Sequence, residues 1–282
     1  MTERDIVIGP RMNLTPGHQF VVAAFFHQSV DWSSRLLVSG GVEEEQGRFV
    51  PKPAWRAPTA AELAALVTDR APARRDDLDG CLCLFALPQH LQTTWWDLLD
   101  RARLAETTHL EGFDAFVGEV ASLLAFKELP VPDGASFDLV ASQPGQRSIR
   151  WNADGARPEG LAFDVSPRTP WPPCPEGRPA RLWGGINLGD EAISVVLVNL
   201  AAQQMHDLLA VGFPDLAPAA THGELAECFL RRLADYPPVR LRIAPGEGYR
   251  LPAGGVLVDA CTLDMEGPAV LLLIGDSGKH AS

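Results

Sequence analysis

From Ser136 onward the chain breaks into nine short strand-like runs separated by Gly and Pro: residues 137–142, 147–151, 160–164, 181–187, 192–200, 239–243, 248–251, 255–260 and 269–274. Runs of this length, punctuated this often, cannot build a helical bundle. They predict a barrel or jelly roll, the architectures that bury many short strands against one another. One helical insertion, near 203–235, interrupts them. It contains Thr221-His-Gly-Glu224, a capping box in which the Thr hydroxyl and the Glu three residues later satisfy amides at a helix start.

The first half has a different texture. Residues 20–26 and 35–38 read as strands. Thr59 and Glu62 form a second capping box, opening a helix to about Val67. Residues 69–79 are charged and contain Pro, so a loop is expected. Helices are expected over 94–104 and 112–129, the second from the helical spacing of Phe113, Phe116, Val117, Val120, Leu123 and Leu124. Pro130 and Pro132 stop it. The expected organisation is therefore a mixed, partly helical N-terminal part over 1–135, packed on a β-barrel over 136–275, with a short flexible tail at 276–282.

Composition narrows the function classes. Apolar residues make up 46% of the chain and charged residues 21%, which is ordinary for a soluble globular protein. Acids outnumber bases 36 to 24, a net charge of −12, which argues against nucleic acid and anionic membrane as partners. The longest apolar runs, such as Ala269–Ile274, are too short to span a bilayer. Met1 to Asp5 lacks the basic start of a signal peptide, so a cytoplasmic location is expected. The five Cys are odd in number and scattered, which speaks against a disulfide framework. Cys81 and Cys83 sit two apart in an apolar run and point to one side of a strand, as core residues rather than a metal pair.

Three segments of the β half carry a resemblance. They are Gly160-Leu-Ala-Phe-Asp164, then Arg181 to Asp190 followed by Ser194 to Leu200, and Pro245-Gly-Glu-Gly-Tyr-Arg-Leu-Pro-Ala-Gly-Gly-Val-Leu-Val-Asp259. Together they resemble the cupin-like double-stranded β-helix of the Fe(II)/2-oxoglutarate-dependent oxygenases. The resemblance covers roughly residues 136–275 and implies that fold. It also implies where chemistry should sit. The first iron-ligand His falls on Ala162, the carboxylate on Asp164, and the second His on Val258, or on Leu257 if the register slips by one. The cosubstrate Arg falls in Ala269 to Gly275, which contains none. Neither Ala nor Val donates a lone pair, and one carboxylate is a poor iron site. The resemblance thus implies the fold and argues against the family's iron and 2-oxoglutarate chemistry, so no metal and no cofactor are expected.

The remaining polar residues have two readings each. Strand alternation puts Asp164 on the face of Ala162, which the alignment points into the barrel. A lone carboxylate there would have a raised pKa and could serve as a catalytic acid or base. Equally, it could be a relic tied to a backbone amide or an Arg. Arg181 and Arg250 flank the family segments and are candidate substrate anchors. Arg240 and Arg242 share a face; they could clamp a substrate carboxylate or phosphate, or lie on the solvated outside of the barrel. Tyr249 could bond a ligand or pack a wall. The loop 166–179 holds six Pro and Trp171, and could act as a stiff lid with Trp171 on the ligand. No His pair has ligand spacing, although His206 and His222 could be recruited by an atypical iron site.

These features lead to three expected functions. The first is a metal-independent enzyme performing cyclisation, dehydration, isomerisation or hydrolysis on a small molecule in bacterial specialised metabolism. The second is a non-catalytic binding or scaffolding partner, forming a homodimer or joining an active homologue. The third is a true oxygenase with atypical ligands.

Overall fold

In a computed structural model, the described residues are 13–22, 30–68, 80–104, 110–127, 129, 131–132, 134–149, 159–165, 170–171, 182–216, 219–252 and 255–276. The N-terminal elements are β1 (Gln19–Val22), α1 (Trp32–Arg35), β2 (Leu36–Ser39), β3 (Val42–Glu45), β4 (Arg48–Pro51), β5 (Trp55–Arg56), α2 (Ala60–Leu66), β6 (Cys81–Ala86), α3 (Gln89–Leu104) and α4 (Phe113–Phe126). The rest are β7 (Ala135–Ser142), β8 (Ala162–Phe163), β9 (Leu182–Asn187), β10 (Ile193–Leu197), α5 (Ala202–Gly212), α6 (His222–Arg232), β11 (Val239–Ile243), β12 (Glu247–Arg250), β13 (Leu257–Cys261) and β14 (Ala269–Asp276).

The chain is a mixed α+β protein. Two six-stranded sheets carry it, in the orders β1-β6-β12-β9-β14-β7 and β5-β2-β11-β10-β13-β8, and β3 and β4 form a separate hairpin. We call the first two sheets A and B. Every pair within them is antiparallel except β1 with β6. The expected closed barrel is corrected here: among the described residues both sheets keep open edges, at β1 and β7 in one and at β5 and β8 in the other. From β7 to β14 the chain switches sheet at every step except β10 to β11, where α5 and α6 fill the connection. The N-terminal part does more than pack on these strands. Its β1 and β6 extend sheet A beside β12, and its β2 and β5 extend sheet B beside β11.

The period-2 alternation of the strands builds two cores. Between the sheets lie Phe20, Leu82, Leu84, Tyr249 and Leu271 from sheet A, facing Leu36, Val38, Val195, Leu197, Leu241 and Val258 from sheet B. The opposite face of sheet A carries Val21, Cys83, Phe85, Ile186, Leu272 and Ile274. These pack against Trp95 and Leu98 of α3 and Phe116, Val120 and Leu124 of α4. Trp95 also donates its indole N–H to the carbonyl of Leu188, 2.7 Å away, so a bulky core ring keeps its polar handle satisfied.

Element boundaries differ from expectation for local reasons. α3 begins at Gln89, five residues before Thr94, because the carbonyl of Pro88 takes the amides of Leu91 and Gln92. The hydroxyls of Thr93 and Thr94 do not cap; they donate back to the carbonyls of Gln89 and His90. α4 ends at Phe126 rather than 129. The strand expected over 147–151 does not form at its described residues, 147–149. There the backbone makes isolated bonds, such as Ile149 N–H to Ala260 O at 2.9 Å. Arg147 reaches away to Glu43 and Glu45 on β3, at 2.6 and 3.2 Å. The capping box at Thr59 and Glu62 forms in full. At α6 Thr221 accepts from Glu224 N–H, while the Glu224 carboxylate takes Ala220 N–H, one residue further back than the box geometry. The loop at 69–79 and the tail beyond Asp276 lie outside the described residues.

Candidate functional site

The two positions that the resemblance assigns to iron-binding His are direct cross-strand neighbours. β8 and β13 pair with Ala162 opposite Val258. Val258 in turn faces Leu197 on β10, Leu197 faces Val239 on β11, and Val239 faces Val38 on β2. These five residues are all apolar, and the row ends beyond them at Arg56 on β5, which pairs with Val38. Val258 is 2% exposed and Val239 and Val38 are fully buried, so their methyl groups fill the layer between the sheets.

Asp164 follows β8 on the same ladder and is 0% exposed. Its Oδ1 accepts the N–H of Val256 at 2.9 Å. Its own N–H donates to Val256 O at 3.2 Å, and its carbonyl accepts from Leu182 N–H at 3.2 Å. The residue therefore ties the end of β8 to the start of β13 and to β9. Of the two sequence readings, this geometry matches the carboxylate bound to a backbone amide.

The other candidates do not gather around it. Tyr249 is buried between the sheets, with its ring lying over Gly185. A Cβ at Gly185 would sit 3.1 Å from the Tyr249 hydroxyl oxygen, and one at Gly184 would sit 2.1 Å from the Tyr249 carbonyl oxygen. The glycine pair is thus a close backbone approach, next to an irregularity where Ile274 pairs with Gly184 but Gly275 pairs with Leu182. Alternation puts Arg250 on the opposite face of sheet A from Tyr249, directly across from Cys83. Its charge lowers the Cys83 thiol slightly, but burial dominates and pushes that thiol up to about 12. Cys261 is likewise pushed up to about 11 by burial. Both thiols are protonated at neutral pH and are poor nucleophiles or metal ligands. Arg181 and most of the 166–179 loop lie outside the described residues.

Trp171 is described, and it is 9% exposed. Its backbone N–H donates to Ala220 O at 2.8 Å, and its ring meets His222 edge-on at 5.2 Å and His206 at 6.1 Å. Phe163 meets the same His222 ring at 5.4 Å, so an imidazole is held between two aromatic rings at the start of α6. Among the described residues no group of three His, Cys, Asp or Glu side chains could hold a metal ion.

Sequence reasoning missed two features at the far end of sheet B. Arg35, at the end of α1, forms a two-pronged ion pair with Glu247, at 2.5 and 2.8 Å, and Glu247 also accepts Ala244 N–H at 2.8 Å. Glu247 is the Glu of the Pro-Gly-Glu segment, which was legible as a fold marker but named no partner. Beside this pair lies a cleft of about 490 Å³, lined in part by Arg35, Asp190, Glu191, Arg242 and Asp264. Arg240, expected on a solvated face, is only 7% exposed; it bonds Asp264 at 2.5 Å and lies 5.0 Å over the Trp55 ring.

No described helix is long and apolar enough to cross a membrane. Comparison with protein-family models, with curated proteins and with solved structures finds no match to this chain.

Proposed function

We propose that this chain is an oxygenase-like double-stranded β-helix protein whose iron site has been given over to apolar packing, and that it works as a non-catalytic binding or scaffolding protein. The observation that carries this reading is the cross-strand pair Ala162–Val258, set in an apolar row. Two positions far apart in sequence, singled out by the resemblance, meet on adjacent strands, and neither can donate to a metal. The strand order supports the fold part of the proposal. Eight consecutive strands alternate between two sheets, with one exception bridged by helices, as a double-stranded β-helix requires.

The choice of a binding role over catalysis rests on Asp164. A general acid or base must reach a substrate proton, within about 3 Å. Asp164 is fully buried and spends one oxygen on Val256 N–H. A metal-independent enzyme acting through Asp164, with Arg250 and Tyr249 as anchors, has less support. The two anchors lie on opposite faces of sheet A.

The test uses the full-length protein, purified without chelator. Iron content and 2-oxoglutarate-dependent succinate release are measured with added Fe(II), and complexes are sought by size-exclusion chromatography of the chain alone and mixed with a purified, active Fe(II)/2-oxoglutarate oxygenase. The expected outcome is no stoichiometric iron, no succinate and a stable complex. Iron at one per chain with turnover of 2-oxoglutarate refutes the proposal. Turnover of any substrate that survives chelator and is abolished in Asp164→Asn supports the enzyme reading instead.

A further inference from the structure

We propose that the cleft at the far end of sheet B binds a small molecule carrying both a carboxylate and a protonated amine, such as a free amino acid. This site is independent of the binding role proposed above. Strand register separates it from Ala162 and Val258. β10 reaches the Ala162–Val258 row at Leu197, and its other end, Ile193 opposite Ile243, borders the cleft. Four residues of strand put the two places about 13 Å apart.

The cleft is formed where three connections meet: β9 to β10, β11 to β12, and β13 to β14, closed on one side by α1. Its volume of about 490 Å³ falls within the roughly 300–1,000 Å³ of small-molecule sites.

The charges on its walls decide the ligand class. Most are already occupied. Arg35 is held two-pronged by Glu247. Glu191 accepts the backbone amides of Glu266 and Gly267, at 3.0 and 2.5 Å. Asp264 bonds Arg240. Two charges remain. Among the described residues the side chains of Arg242 and Asp190 make no hydrogen bond or ion pair, and both residues are exposed and line the cleft. The β11–β2 ladder pairs Leu241 with Leu36, so the next positions along, Arg242 and Arg35, are neighbours on one wall.

A simple anion would meet Arg242 but also Asp190, Glu191 and Asp264. A simple cation would meet the acids but also Arg242, whose charge has no carboxylate partner among the described residues. A molecule with both charges answers both. Its carboxylate takes the planar fork of Arg242, and its ammonium takes Asp190 with the outer oxygens of Asp264 or Glu191 nearby. No covalent step is involved.

The test is titration of the full chain, followed by ligand-observed NMR, with probes that differ only in charge and spacing. The zwitterions are glycine, β-alanine, 4-aminobutanoate and 6-aminohexanoate; the single-charge controls are hexanoate and hexylamine. At least one zwitterion is expected to bind, with both controls at least about tenfold weaker, equivalent to about 1.4 kcal/mol. Arg242→Gln and Asp190→Asn, both at exposed positions, are each expected to weaken that zwitterion about tenfold or more while leaving the thermal melt unchanged. The proposal fails if no zwitterion binds up to about 20 mM. It also fails if hexanoate or hexylamine binds as well as the zwitterions, or if neither substitution changes the affinity. None of these results bears on iron content or complex formation, so the two proposals stand or fall separately.

Discussion

Replacing Asp164 by Ala tests whether this buried carboxylate is a structural clamp. The perturbation removes the acceptor of Val256 N–H, a fully buried donor 2.9 Å from Oδ1. A hydrogen bond to a charged group contributes about 1.5–3 kcal/mol, and a buried donor left without an acceptor costs about 1–3 kcal/mol. Asp164→Ala should therefore destabilise by about 2–3 kcal/mol. Asp164→Asn keeps an oxygen that can accept from Val256 but adds an amide that must find its own acceptor, so about 1 kcal/mol is expected. The assay is urea unfolding at neutral pH, read by tryptophan fluorescence, with the midpoint falling and the slope unchanged. For a chain of this size the Ala variant should melt roughly 5 °C lower. The sign decides the matter. A poorly compensated buried charge would be relieved by its removal, and the Ala variant would then be as stable as the parent or more so. That result would refute the clamp and reopen Asp164 as a functional group.

Three further outcomes are expected. Arg35→Met leaves the Glu247 carboxylate, 7% exposed, with only Ala244 N–H among the described residues for compensation. A loss of about 3 kcal/mol by urea unfolding is expected, partly restored in the Arg35→Met/Glu247→Gln double variant. Gly185→Ala brings a Cβ within 3.1–3.2 Å of the Tyr249 ring and hydroxyl; it should cost about 1–3 kcal/mol, most of which disappears in a Tyr249→Leu background. Burial holds the His18 imidazole below its ordinary pKa, against the partial support of its bond to Gly80 O. The unfolded chain takes up that proton near pH 6.5 and the folded one does not. The His18 contribution is thus full above that value and is lost as pH falls toward the folded pKa. Stability measured between pH 7 and 5 should fall by up to about 1.4 kcal/mol per pH unit from this residue, a slope that His18→Gln removes.

Much of the secondary structure was legible because its signals are local. Thr59 with Glu62 and Thr221 with Glu224 marked two helix starts, since the caps lie within four residues of the amides they satisfy. The short Val- and Leu-rich runs marked most of β7 to β14. The β3–β4 hairpin was missed because its turn, Gln46-Gly47, lacks the usual Asn or Asp. Both residues nonetheless take positive φ, 54° and 76°, as a tight two-residue hairpin turn requires. The first turn of α3 carries no Ser, Thr, Asp or Asn cap ahead of Gln89, and the start rests on the carbonyl of Pro88, so the sequence offered no local signal there. The site was less legible, since pairings such as Arg35 with Glu247 join elements 212 residues apart. Periodicity gives the face a residue shares, as it did for Ala162 with Asp164, but not the partner that a long side chain finds.

The sharing of both sheets between the two halves of the chain governs its birth as well as its shape. Val38 on β2 waits for Val239 on β11, about 200 residues downstream. At a synthesis rate of about 5–20 residues per second, β2 leaves the ribosome some 10–40 s before its partner exists. During that interval β1, β2 and β6 present apolar faces and unpaired edges, the condition under which nascent chains aggregate or recruit chaperones. An expression fragment ending near residue 135 would be held in that state permanently. The protein should therefore respond to slower translation or chaperone supply more strongly than to changes in the surface loops.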